Sequence, residues 1–334
     1  MISRGNRGNA LEALVAGLRG TPTDRADWQA VIALANRTLL TPDLFSSLAR
    51  AGQIHQLPED VREYLRFVHD CNRERNLRLR TQLGEAVAAL NRSDISPLLL
   101  KGAVPLFLSP AGLVPSRMTS DLDLAVNPRQ EKVARDCLEE LGYVDVAGGR
   151  GMARQQDAGM LELRSTRADC YHSPKLIQRD GLRVKIPPVQ SRAMHWMVHD
   201  LLKEGDYWRG RIDLRHLHDL ARLAENEDVD WMSLQGSMSD RSARNALETQ
   251  LLAMHHFFGT RIPEKCAKRP IVRFQHWRRV FTATHPVIGA PLRLVGNLTW
   301  GIWRFSRAYG LARRGPPYLL RRIARTLFDP RTKI

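Results

Sequence analysis

Asp121 and Asp123, two carboxylates one residue apart, are the residues of this chain whose type and spacing most plainly ask for a partner. They open the segment Ser120 to Val126 (SDLDLAV), where polar and apolar residues alternate. Alternation at period two is the pattern of a half-buried strand. Residues i and i+2 of a strand share a face, so the two aspartates project side by side while Leu122 and Leu124 point the other way. Adjacent carboxylates repel and are costly to keep ionised. A divalent cation removes that cost. Mg2+ (or Mn2+) takes hard oxygen ligands, commonly one or two carboxylates together with phosphate oxygens. Such clusters serve phosphoryl-type transfers by stabilising the attacking and leaving oxygens. An isolated pair of this kind is more often the solvated end of a strand, so the surroundings decide.

Those surroundings point to phosphate. Leu98-Leu99-Leu100-Lys101-Gly102 is an apolar run ending in glycine where a helix is expected to start. A helix N-terminus offers unpaired N–H groups to an anion, and glycine lets the backbone approach closely. Arg117, just before the acidic strand, carries a planar fork suited to phosphate oxygens. Two histidine groups compete less well. His195 and His199 are four apart on an expected helix, but Trp196 stands where a zinc-protease motif needs glutamate. Helix packing is the simpler role for them. The same holds for Arg215-His216-Leu217-His218-Asp219, where Asp219 is read as fixing its helix or pairing with Arg215.

The elements that must position these residues follow from periodicity. Asp27 to Ala51 reads as helices. Pro58 opens a long helix whose Val61, Leu65, Val68, Leu79, Leu83, Val87 and Leu90 recur at three- and four-residue steps until Ser93-Asp94. Ile95 to Leu100 is a short buried strand, followed by a short helix to about Leu108 and a Pro/Gly loop to Met118. After the acidic strand, Pro128 leads a helix closed by Gly142, and Tyr143 to Val146 is a strand. Met160 to Arg164 and Leu182 to Ile186 alternate again. Helices return over Met194 to Lys203, Leu214 to Glu225 and Arg241 to Phe258.

Taken together, Leu99-Leu100-Lys101-Gly102, a spacer, and Arg117-Met118-Thr119-Ser120-Asp121-Leu122-Asp123-Leu124-Ala125-Val126 resemble the bacterial "uncharacterised nucleotidyltransferase" family of the DNA polymerase β-like nucleotidyltransferase superfamily. Leu141-Gly142-Tyr143 and the block Leu182 to Leu223, with Ile186-Pro187, His199 and His218-Asp219-Leu220-Ala221, are similar too. The resemblance covers about Asp27 to Gly259. It implies an α+β fold in which a small mixed nucleotidyltransferase sheet is flanked by N-terminal and C-terminal helical regions. It implies a reaction in which an acceptor hydroxyl or phosphate attacks the α-phosphate of an NTP such as ATP and pyrophosphate leaves. It implies Asp121 and Asp123 as ligands of two metal ions and a third acid from a later strand. Glu162, in Leu161-Glu162-Leu163-Arg164, is the best match for that acid, with Asp157 and Asp169 behind it. Arg164 and Ser165 stand where the family usually has His and Trp, and Gly102-Ala103 lacks the hydroxyl many superfamily members place there. Lys101, the Gly102 backbone and Arg117 are then the expected hold on the β- and γ-phosphates. The alternatives are a catalytically degenerate nucleotide-binding module and a membrane- or RNA-associated adaptor.

The chain has 334 residues, which suggests more than one structural unit. Four regions are expected: a helical region over 1–92, the nucleotidyltransferase core over 93–188, a helical domain over 189–260 and a basic, aromatic-rich tail over 261–334. Arg4, Arg7 and Glu12 interrupt any leader-like apolar run, and Cys71, Cys137, Cys170 and Cys266 form no C-x-x-C pair, which fits reduced thiols in the cytoplasm. The net charge of +16 is uneven: the region from Arg261 to Ile334 holds 17 of the 51 Lys/Arg and only two acids, Glu264 and Asp329. There Trp300, Trp303, Phe305, Tyr309, Tyr318 and Phe328 interleave with arginines, and Leu319, Leu320, Ile323 and Leu327 form one helical stripe. Such a segment suits the anionic inner face of a membrane. RNA is a weaker match, and packing of the tail on the helical domain is the plain alternative.

Overall fold

A computed structural model describes residues 7–22, 26–146, 151–166, 173–238 and 240–309. The chain divides into two compact units, Leu40–Arg192 and a second made of Met1–Leu39 with Ala193–Ile334. Residues 40–92 therefore cluster with the sheet, and residues before 40 cluster with the later helices.

The first unit begins with helices α3 (Thr41–Arg50) and α4 (Glu59–Arg92). It continues through β1 (Leu98–Leu100), α5 (Ala103–Leu108), β2 (Asp121–Val126), α6 (Glu131–Glu140), β3 (Val144–Asp145), β4 (Gly151–Ala153), β5 (Met160–Ser165), β6 (Lys175–Arg179) and β7 (Leu182–Ile186). The strands form one mixed seven-stranded sheet in the order β3-β4-β5-β2-β1-β7-β6. β2 runs parallel to β5 and β1 parallel to β7, while β1 and β2 are antiparallel. Leu99, Leu122, Leu124, Leu161, Leu163, Val184 and Ile186 share a buried core with Leu79, Leu83, Ala86 and Leu90 of α4 and with residues of α5 and α6. The fold is thus the α+β arrangement expected, with a mixed sheet flanked by helices.

Alternation makes this geometry necessary. Leucines at 122, 124, 161 and 163 commit one face of β2 and β5 to the core, so Asp121, Asp123, Glu162 and Arg164 must all lie on the other. The sequence pattern missed β4 and β6, which are short or exposed on most side chains.

The second unit holds α1 (Arg7–Leu18), α2 (Trp28–Arg37), most of α7 (Val189–Met197), α8 (Asp206–Arg209), α9 (Leu214–Asn226), α10 (Trp231–Ser237), α11 (Arg241–Phe258), α12 (Pro270–Thr284) and α13 (Ala290–Tyr309). Asp27, Asp213, Asp230 and Asp240 each cap a helix by accepting from an N–H of its first turn. The basic segment after residue 260 is folded as far as it is described. α12 buries Val272, Arg278, Arg279, Thr282 and Ala283. Trp300 of α13 is only 2% exposed, and its indole lies where a side chain on Gly205 would have to go. That burial corrects one expectation: Trp300 serves the core of the helical unit and is unavailable to lipid. The side chains of Trp303, Phe305 and Tyr309, and the stripe around Leu319 to Leu327 with Tyr318 and Phe328, lie outside the described residues.

Candidate metal centre

Register brings the three acids together. In the parallel pair β2–β5, Asp123 stands opposite Glu162 and Asp121 opposite Met160, so the carboxylates of Asp121, Asp123 and Glu162 share one sheet face. Each offers an oxygen within 4.8 Å of the others. Asp123 is buried, whereas Asp121 and Glu162 are half-buried. Among the described residues this is the one group of three such side chains able to hold a metal ion.

Cations already surround the cluster. Lys101 Nζ and Arg164 Nη2 each lie 2.8 Å from Asp123 Oδ1. Arg164 Nε donates to Glu162 Oε2 at 3.1 Å, and its Nη2 donates to the same oxygen. The Ser120 hydroxyl donates to Asp121 Oδ1 at 2.7 Å. Burial raises the Asp123 carboxyl above the usual range and the Asp121 charge adds to it, while Lys101 and Arg164 pull the other way. Burial alone would also raise Glu162, but the Arg164 hydrogen bond and charge outweigh it and hold that carboxyl below the usual range.

The donor set fits a divalent ion. Three carboxylates on one face, one of them buried and reluctant to ionise alone, gain from a hard cation supplied at close range. Asp121, Asp123 and Glu162 would hold it.

The expected phosphate residues lie beside the acids. Lys101 leaves β1 with φ at +47°, a left-handed conformation that costs a non-glycine residue about 1 kcal/mol or more. That turn lets its ammonium reach back to Asp123. Gly102 caps α5 with ordinary helical angles, so its value is space. A Cβ there would sit 3.0 Å from the Thr119 methyl, and 3.1 Å from Arg117 Nη1. Lys101, Gly102, Arg117 and the acids are therefore neighbours.

Periodicity did not show what holds the approach to β2. α4 carries Asn72, Arg75, Asn76 and Gln82, which share a face at three- and four-residue steps. Asn72 donates to the Ser116 carbonyl at 2.7 Å, and Asn76 donates to those of Pro115 and Arg117 at 2.9 and 2.8 Å. Arg75 donates to the Thr119 carbonyl, to Ser120 at 3.2 Å and to Ala158 at 3.0 Å. Gln82 donates to the Gly159 carbonyl at 2.9 Å. From α3, buried Asp43 accepts from the Ser116 hydroxyl at 2.6 Å. These side chains tie down the loop before Asp121 and the turn before β5, the two segments that aim the carboxylates. The available signal was polar residues recurring on the face of α4 that also carries Leu79 and Leu83.

A model of a family described as uncharacterised nucleotidyltransferases matches residues 24–259. The chain belongs to that family. Comparison with curated proteins and with solved structures found no match. The family match spans the metal cluster, the α4 face and α9 to α11 of the helical unit, and stops before α12.

The remaining expected residues fall elsewhere. Asp157 pairs with Arg154 at 2.8 Å. Asp169 and the side chain of His199 lie outside the described residues. His195 and Trp196 meet edge to face on α7, His216 packs on the Trp196 ring and pairs with Asp213, and buried His218 packs on Phe258. These contacts suit helix packing. Among the described residues no helix is long and apolar enough to cross a membrane.

Proposed function

We propose that this nucleotidyltransferase moves an NMP group from an NTP to an acceptor hydroxyl or phosphate. The acceptor oxygen bonds to the α-phosphorus, the bond to the β-phosphate bridging oxygen breaks, and pyrophosphate leaves with that electron pair. The observation that carries this reading is the convergence of Asp121, Asp123 and Glu162 beside Lys101, Gly102 and Arg117. A bound Mg2+ or Mn2+ would supply charge neutralisation at the transferring phosphoryl group. Asp121, Asp123 and Glu162 supply the carboxylates that would hold it. Glu162, held ionised by Arg164, also accepts a hydrogen bond from the attacking hydroxyl and takes its proton as the new bond forms. Arg117 and the Gly102 backbone orient the β- and γ-phosphates. Lys101 shares its charge between Asp123 and those phosphates. The chemistry is positioning plus charge compensation, which is where phosphoryl-type transfer gains most.

Asp121→Asn and Asp123→Asn each test this. Both should fold, because each removes one of two repelling charges. Transfer of label from α-32P-NTP into a cell extract should fall by about 100-fold or more in either variant. Wild-type rates in either one would remove the pair from the site.

A second observation bears on where the enzyme works. α13 turns Leu294, Val295, Leu298 and Ile302 to solvent along one face, while Gly296 and Trp300 face inward. Between Glu264 and Asp329 the sequence contains no acidic residue. An apolar helix face in so basic a setting repels a second copy of itself and suits an anionic lipid surface. The reading adds a peripheral membrane site, with RNA as the competing polyanion. Leu298→Glu and Ile302→Glu should cut sedimentation with phosphatidylglycerol vesicles several-fold while leaving α-phosphate transfer intact. Undiminished vesicle binding by both variants, or sedimentation with RNA alone, would discard it.

A further inference from the structure

The geometry points to Arg164 standing in place of one divalent ion, so that the cluster of Asp121, Asp123 and Glu162 takes a single metal, seated toward its Asp121 end. This inference rests on the metal reading above and specifies its stoichiometry. One guanidinium spans β2 and β5 on the carboxylate face. Its Nη2 lies 2.8 Å from Asp123 Oδ1 and also donates to Glu162 Oε2, and its Nε donates to that same Glu162 oxygen at 3.1 Å. Arginine stays charged at any pH a protein survives, and its planar fork binds carboxylates in fixed directions. A cation shared by Asp123 and Glu162 is therefore already built into the fold.

Strand register makes that placement a property of the sequence. Arg164 is two residues beyond Glu162 on β5 and pairs in register with Ala125, two beyond Asp123 on β2. Ala125 contributes only a methyl group at that point, and the guanidinium folds back over both acids. Lys101 adds a second cation at Asp123 Oδ1. Arg75, the third, is near enough for its charge to interact with that of Asp121.

Charge then limits how many ions fit. Three carboxylates faced by Lys101 and Arg164 carry one net negative charge, and Arg75 offsets part of what is left at Asp121. One divalent ion already more than offsets that field. A second ion bridging Asp123 and Glu162 would have to displace a guanidinium making three charge-assisted hydrogen bonds or sit against it at ion-pair distance, where like charges repel strongly. Asp121 lies outside the Arg164 contacts and accepts from the Ser120 hydroxyl, so it is the end of the cluster open to a metal.

Mn2+ bound to the full chain, counted by equilibrium dialysis and read by electron paramagnetic resonance, tests the stoichiometry without any turnover. Binding that persists in the Asp121→Asn/Asp123→Asn double variant is subtracted as nonspecific. The wild type should bind one Mn2+ per chain with the spectrum of an isolated ion. Arg164→Ala and Arg164→Gln should bind two, with the broadened spectrum of two ions coupled through shared carboxylates. Arg164→Lys, which keeps the charge, should stay at one and guards against a result that merely reports misfolding. Two coupled ions in the wild type, or one ion in both the Ala and Gln variants, would overturn the inference while leaving the metal site standing. A wild type with no Mn2+ beyond the double variant would instead overturn the metal reading itself, and the inference with it.

Discussion

Two sites, one in each unit, hold buried charge in opposite ways. In the sheet unit the carboxylate of Asp123 is buried on a strand and compensated by Lys101 and Arg164 from neighbouring segments. In the helical unit α12 buries two arginines. Arg279, 1% exposed, donates to the Arg211 carbonyl at 3.0 Å and to Gln250 Oε1 at 3.0 Å. Arg278 donates to the carbonyls of Tyr207 and Trp208 at 2.9 and 3.0 Å. Under the proposed function, the first arrangement leaves Asp123 paired with Lys101, a cation it would exchange for a metal, beside the guanidinium of Arg164. The second locks a cation onto backbone carbonyls that have nothing to exchange with. One is fitted to ligand chemistry and the other to holding residues 207–211 in place.

Breaking a lock should cost stability, and breaking the exchange site should cost function. The largest effect after the aspartate substitutions is expected at Arg279. Arg279→Leu leaves the Arg211 carbonyl and the Gln250 side chain buried without their donor, a loss of roughly 2–4 kcal/mol. Chemical denaturation should show a lowered midpoint at unchanged Mn2+ binding. A variant as stable as wild type would show that water or a neighbour replaces the guanidinium freely.

Proton linkage sharpens the contrast, because His276 and Asp123 should respond to pH with opposite sign. His276 is pushed down from the usual 6.5 to about 4, first by burial and then by His256 and Arg279. The unfolded chain takes up a proton as pH falls through about 6.5, whereas the folded chain resists until about 4. The stability tied to a neutral His276 is therefore full above that window and lost on acidification through it, by about 3 kcal/mol. Asp123 behaves inversely. Its carboxyl is raised from 3.8, so between that value and its folded one the native state keeps a proton that the unfolded chain has released. Metal-free stability due to Asp123 should fall as pH rises through that interval, and Mn2+ binding should strengthen over the same interval. Unfolding curves of wild type against His276→Phe and Asp123→Asn across pH 4 to 7 separate the two contributions (about one pH unit per step suffices). Slopes of equal sign from both sites would contradict the assignment.

The same contrast explains what could be read in the sequence. The acid cluster was legible because strand alternation fixes side-chain direction. Once Leu122, Leu124, Leu161 and Leu163 are assigned to the core, Asp121, Asp123 and Glu162 have only one face left. Lys101, Gly102 and Arg117 were legible through the apolar run and the loop that follow the same logic. Arg164 was visible as an unusual residue, but its contacts with Asp123 depend on the β2–β5 register, which no local pattern reveals. The α4 side chains were hidden for a different reason. Asn72, Arg75 and Asn76 sit among charged residues on a helix, where polar residues ordinarily face water, and their carbonyl partners are some 40 residues away in the chain. The packing of residues 270–309 stood only as an alternative, because basic and aromatic residues read alike whether they cover a core or meet a partner. Trp300 belongs to the first case, while the outer face of α13 is exposed.

The smallest predicted effect tests whether the loop ties on α4 act on the metal site or merely on the fold. Asn76 is buried and donates to two carbonyls, those of Pro115 and Arg117, which bracket the turn leading to Asp121. Asn76→Ala removes both bonds and leaves two acceptors for water, a stability cost of about 1–3 kcal/mol. That cost alone says nothing about function, since any buried polar contact would show it. The discriminating readout is metal affinity in the folded variant. If the ties aim the carboxylates, loosening the turn should weaken Mn2+ binding by about 3- to 10-fold, about 1 kcal/mol, with stoichiometry unchanged. Asn76→Asp keeps the size but has no donor when ionised, so it should weaken binding in the same direction. Asn76→Gln, which restores a donor on a longer arm, should recover part of the affinity. If Asn76→Ala loses stability but binds Mn2+ as tightly as wild type, the α4 face supports the fold alone, and the aim of Asp121 and Asp123 is set within the sheet by the β2–β5 register.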